Sequence, residues 1–160
     1  LRFIHKNARL EELPNPTLDS LVLTAAEWKA LWPEKTEAGH SWTLPEAVAR
    51  KFSRILGPGD ENTMPRPNEV KSARFAGKVQ SIDNGIAQLT FEGDIAGAHN
   101  TQSNRGLCHG EAKLTGLARY DVKTRQPQSL ILVFDGVFRN VVPYDQPAKY
   151  GGVVEWRARR

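Results

Sequence analysis

Two periodicities divide the chain. Towards residue 56 the apolar positions recur at helical spacing, and beyond about residue 69 they alternate, while the first forty residues carry no clear period. The helical signal is clearest between about Pro45 and Leu56. There Val48, Phe52 and Ile55 share one face, with Arg50, Lys51 and Arg54 mostly on the other. Thr24-Ala25-Ala26-Glu27 and Thr43-Leu44-Pro45-Glu46 read as capping boxes, in which the Thr hydroxyl accepts a backbone N–H and the Glu reaches back to the Thr N–H. They predict a short helix over about Ala25 to Leu31, ended by Trp32-Pro33, and a second ended by Gly57-Pro58. Leu1 to His5 alternates weakly and reads as an edge strand. Residues 57–68 hold three prolines and two glycines and read as a linker or ordered loop.

In the alternating part, Ala73, Phe75, Gly77 and Val79 share a face, as do Ala87, Leu89, Phe91, Gly93 and Ile95, and Ala112, Leu114, Gly116, Ala118 and Tyr120. Each of these strands has one polar face. Ser129 to Phe138 differs, because Leu130, Leu132, Phe134 and Phe138 fill one side while Ile131, Val133 and Val137 make the other apolar too. Such a strand is expected to be covered on both sides, by the second helix or by a partner subunit, which makes Val133 a buried position. A last strand is expected over Val153 to Ala158, with Val154 and Trp156 inward. The small inward residues Ala73, Gly77, Ala112, Gly116 and Ala118 either leave a ligand cavity or let a helix approach closely.

A short repeat runs through this half. Ala73 to Gly77 matches Ala112 to Gly116, and Leu89-Thr-Phe-Glu-Gly93 matches Leu132-Val-Phe-Asp-Gly136. Asp83-Asn84-Gly85 is a strong hairpin turn signal, and a longer turn is expected around Lys123 to Gln128. The expected fold is therefore α+β: two short N-terminal helices packed on a curved antiparallel sheet of about five strands, built from tandem β-hairpins, with a partly closed barrel as the alternative form of that sheet. Residues 1–68 form the helical segment and proline-rich linker, residues 69–160 the antiparallel β part, and the two make one compact unit.

The 160 residues are 39% apolar and 25% charged, which excludes collagen, a coiled coil and wholesale disorder. The longest strongly apolar run, Leu130 to Phe134, is far too short for a membrane-spanning helix. Cys108 is the single cysteine, so no intramolecular disulfide forms. Asn15-Pro16-Thr17 is blocked as a glycosylation sequon by its proline. The chain begins at Leu1 rather than Met, and reads as a processed chain or a piece of a longer one. These features fit a bacterial protein, with export to the periplasm or medium favoured over the cytoplasm. The net charge of +4 is spread out, with no basic stripe interleaved with aromatics, so nucleic-acid binding is not expected.

The stretch from Ala96 to Gly110 reads as a loop dense in functional side chains: His99, Asn100, Gln102, Asn104, Arg105, Cys108 and His109. His99, Cys108 and His109 are candidate ligands for zinc or copper, although Cys108 and His109, as neighbours on a strand, would diverge. Cys108 with a distant His as base is a candidate thiol nucleophile. Glu92, Asp94, Glu111 and Asp135 lie near strand ends without a clear acid–base pairing. No Walker loop, dinucleotide fingerprint, nucleophile elbow or zinc-protease helix occurs, which weighs against an enzyme. Four tryptophans suit core packing better than a ligand platform, and Val142 to Gly152, with Tyr144 and Tyr150, reads as a lid or a static loop.

The leading expectation is a non-catalytic binding or protein-interaction module that needs no cofactor. Trp42, Ile131, Val133, Tyr144 and Tyr150 are its candidate contact residues. A protein partner or a second copy would dock through the Ile131/Val133/Val137 face. The alternative is a small metal-binding or thiol-dependent protein, using zinc or copper at the 96–110 loop.

Overall fold

A computed structural model describes residues 23–55, 69–100, 107–139 and 147–158. Its elements are α1 (Ala25–Ala30), β1 (Ser41–Thr43), α2 (Glu46–Ile55), β2 (Glu69–Asp83), β3 (Ile86–Asn100), β4 (Leu107–Asp121), β5 (Gln126–Arg139) and β6 (Ala148–Arg157). The strands form one antiparallel sheet in the order β1-β2-β3-β4-β5-β6, so every strand lies beside its neighbours in sequence. The architecture is α+β as expected, with two differences. A sixth strand, the three-residue β1, pairs Ser41, Trp42 and Thr43 with Lys78, Gly77 and Ala76. Among the described residues β1 and β6 remain separate edges, so the sheet is open rather than a closing barrel. The expected strand at Leu1 to His5 lies outside the described residues.

The β2–β3 turn follows directly from its sequence. Asp83 pairs with Ile86, leaving Asn84 and Gly85 as a two-residue loop with φ of 49° and 77°. Both values are positive, as a hairpin turn that matches strand twist requires. The β4–β5 turn closes at Asp121↔Gln126, where the Asp121 carboxylate accepts the Thr124 N–H at 2.8 Å. That bond holds the Asp121 carboxyl below its ordinary range. The two repeat units are paired differently. Gly77 faces Phe91, but Gly116 faces Leu132, two residues short of the equivalent Phe134.

α1 begins as its capping box predicts. The Thr24 Oγ1 accepts the Glu27 N–H at 3.2 Å, and Glu27 Oε2 accepts the Thr24 N–H at 2.8 Å. The same carboxylate receives Lys51 Nζ at 2.6 Å, tying α1 to α2. The Lys51 bond, then the Thr24 N–H, depress the Glu27 carboxyl below its ordinary value. The second box is not realised. Thr43 belongs to β1, and the first α2 bonds run from the Val48 and Ala49 N–H groups to the Pro45 carbonyl. Pairing with Ala76 holds Thr43 extended two residues before the helix.

Val48, Ala49 and Phe52 of α2 are buried with Leu31, Trp32 and Leu44, against Phe75, Val79, Leu89, Phe91, Leu114, Leu130, Leu132, Phe134 and Val154 of the sheet. Helices and sheet thus share one apolar core, in which Phe52 meets Phe75 edge-on at 5.9 Å. Three tryptophans close its far side. Trp28 meets Trp32 at 5.3 Å and Trp156 at 5.0 Å, and Trp32 stacks on Tyr120. The helices therefore cover only the face that carries Leu130, Leu132 and Phe134. Val133 is not buried, contrary to the sequence expectation: it is 44% exposed, because α2 lies on the opposite side of β5.

Candidate interaction surface

Strand alternation and register assemble the uncovered face. Leu117 of β4 pairs with Ile131 of β5, which pairs with Glu155 of β6. In the next row on the same face, Thr115 pairs with Val133 and Val133 with Val153. Leu117 is 65% exposed and Ile131 39%, while Val153 is half-buried. Scattered exposed apolar residues are ordinary, but these are nearest neighbours across three strands and form one contiguous patch. Val137, half-buried, continues β5 away from the patch beside Glu111 and Lys149.

Charged residues border the patch on two sides. The row Gln88-Arg119-Ser129-Arg157 borders it on one side with two cations. On the other, Glu92 pairs with Thr115, and the next row, Arg74-Asp94-Lys113-Asp135, alternates in sign. The face therefore runs from a basic border through the apolar patch to a border of mixed charge.

The remaining candidate positions fall elsewhere. Trp42 is a half-buried core cover. It packs on Gly77, meets Phe91 edge-on at 5.7 Å and stacks against His40 at 6.5 Å. Its Nε1 and that of Trp32 are buried without an acceptor among the described residues. Tyr144 lies outside the described residues. Tyr150 is part of β6, opposite Gly136, so the expected lid over Val142 to Gly152 is strand from Ala148 onward.

The expected loop over Ala96 to Gly110 is also mostly strand. β3 continues to Asn100 and β4 starts at Leu107, with residues 101–106 outside the described set. The register sets His99 opposite Cys108 and Ala98 opposite His109. His99 and Cys108 thus share a position across the hairpin, while His109 takes the next position and pairs onward with Arg139. Among the described residues no three His, Cys, Asp or Glu residues gather as a metal site.

Among the described residues, two of the small inward positions are filled by neighbouring side chains. Trp42 occupies the space over Gly77, and Leu132 that over Gly116. An apolar cleft of about 220 Å³ lies between α1, α2 and β5–β6, lined by Trp28, Phe52, Leu130, Val154 and Trp156 among others. That is below the usual size of a small-molecule site. No helix among the described residues is long and apolar enough to cross a membrane.

Sequence reasoning missed Leu117. Between Thr115 and Arg119 it reads as a stray apolar residue on a wet face, and only the β4–β5 register places it beside Ile131. No family model, curated protein or solved structure matches this chain.

Proposed function

We propose that this chain is a non-catalytic protein-interaction module that docks a partner protein on the outer face of β4, β5 and β6. The observation that carries the reading is the contiguous exposed patch of Leu117, Ile131 and Val133 on the face that the helices leave uncovered. Its charged border shapes the chemistry of the partner. The complementary surface is an apolar ridge with an acidic side chain where it meets Arg119 and a basic one where it meets Glu92. The small size of the apolar cleft favours this reading over a small-ligand carrier.

The test is a photoreactive amino acid at position 117 in cells that produce the protein, followed by binding measurements with the purified adduct partner. The expected result is one discrete partner. Wild type binds it saturably, Leu117→Glu loses at least about tenfold in affinity, the effect of removing one central apolar anchor, and Arg119→Glu slows association. No discrete adduct, or a partner bound equally by Leu117→Glu, overturns the proposal.

A further inference from the structure

The β2–β3 turn holds a reactive pair of residues in an unreactive geometry. Asn84-Gly85 is the one place in the chain where glycine follows asparagine. Both residues are exposed, and among the described residues nothing lies within 4 Å of where a Gly85 side chain would stand. A glycine nitrogen has no neighbouring side chain to hinder it, so it is a competent nucleophile for the side-chain carbonyl carbon of the asparagine before it. Whether it reaches that carbon depends on ψ of the asparagine. In an L residue the next nitrogen lies beside Cβ when ψ is about −120°, the value at the first central residue of a type II′ turn. A type I′ turn has ψ of about +30° there, which puts the nitrogen on the side away from Cβ. The two turns are told apart by the second central residue, whose φ is positive only in type I′. Asn84 has φ of 49° and Gly85 of 77°, so the turn is type I′.

We infer that Asn84 is a deamidation site gated by the fold, kept intact by the closed hairpin and modified when the turn opens. The Gly85 nitrogen attacks Cγ of Asn84 and gives up its proton. The bond from Cγ to the side-chain nitrogen breaks, and ammonia leaves with that proton. Water then opens the cyclic imide at one carbonyl or the other, giving aspartate or isoaspartate at position 84. The gate is made of the bonds that hold ψ of Asn84. Asp83 pairs with Ile86, Ile86 pairs onward with Asp121, and the Val122 N–H donates to the Gly85 carbonyl at 2.9 Å. Rotating Asn84 toward the reactive ψ swings Gly85 away from Val122, so the chemistry waits for β4 to release the turn. The two products leave different marks. Aspartate keeps the loop length and adds a negative charge beside Asp83. Isoaspartate routes the backbone through the side-chain carbon, so the two-residue loop gains a backbone atom and no longer matches the Asp83↔Ile86 pairing. A chain that has opened is thereby marked irreversibly. This site lies in the turn and stands apart from docking on the outer face.

The test is incubation of the whole chain at neutral pH, folded in buffer and unfolded in urea, followed by peptide mapping by mass spectrometry with isoaspartate assayed by enzymatic methylation. In urea, position 84 is expected to deamidate faster than any other asparagine of the chain. In buffer, its rate should fall at least about tenfold, because the reaction then waits on local opening. Val122→Pro removes the N–H that clamps Gly85. In buffer, with circular dichroism as a folding control, it should deamidate at position 84 faster than wild type. Equal wild-type rates in buffer and urea overturn the inference, as does an unfolded chain that deamidates first at another asparagine. The wild-type comparison decides the gate whether or not the variant folds. A folded Val122→Pro chain that deamidates no faster than wild type overturns the role of β4 in it.

Discussion

Phe75 lies directly across β2–β3 from Gly93, and its ring fills the space that a side chain at position 93 would need. The device recurs at Trp42 over Gly77 and Phe134 over Gly152, each pair also opposed in register. Large residues thus alternate with glycine across neighbouring strands, and the aromatic rings lie down over the backbone of the next strand. This fills the space over each of these glycines with a ring from the next strand.

A methyl group at position 93 meets both the Phe75 ring and the Arg74 carbonyl oxygen, and the backbone atom cannot swing aside. Gly93→Ala should therefore destabilise the fold by about 1–3 kcal/mol, the usual range for overpacking. Urea denaturation measures it, and a midpoint equal to wild type would show that the ring sits loosely.

The two threonines that look alike in sequence should behave differently. Thr24→Ala removes an observed N-cap and should cost about 1 kcal/mol. Thr43 is an exposed strand residue, so Thr43→Ala should stay within about 0.5 kcal/mol. Thermal melts of the two variants side by side decide it, and equal losses would restore the second capping box.

Adjacent residues of β5 should tolerate charge in opposite ways. Val133→Asp places a carboxylate on the uncovered face and should leave a folded, soluble chain. Leu132→Asp buries an unpaired carboxylate in the core and should abolish folding. Circular dichroism of both distinguishes them; an unfolded Val133→Asp would mean that this face is covered after all.

Glu27 gives the junction of α1 and α2 a pH dependence. Its pKa is lowered in the folded chain, so its contribution is complete above the unfolded value and is lost as pH falls through the folded one. Between roughly pH 5 and 3, wild type should lose more stability than Glu27→Gln, which has no such proton to bind. Parallel slopes for the two proteins across that window would exclude the effect.

Local physics made much of this molecule legible in its sequence. Thr24 and Glu27 form their cap within four residues, Asn84-Gly85 forms its turn within two, and strict alternation sorts the faces of β2, β3 and β4. Each depends on chemistry between near neighbours, so no tertiary information was needed. Tertiary structure decided what distant residues do to one another. Thr43 was drawn into β1 by Ala76, thirty-odd residues away. The apolar second face of β5 specified that a cover was energetically favourable but not which side α2 would take. The patch of Leu117, Ile131 and Val133 exists only because β4 and β5 pair in one register, and a shift of one residue would send Leu117 to the other face. Periodicity fixes which residues share a side of one strand. Which sides then meet is set by long-range pairing, and that is where the candidate interaction surface arose.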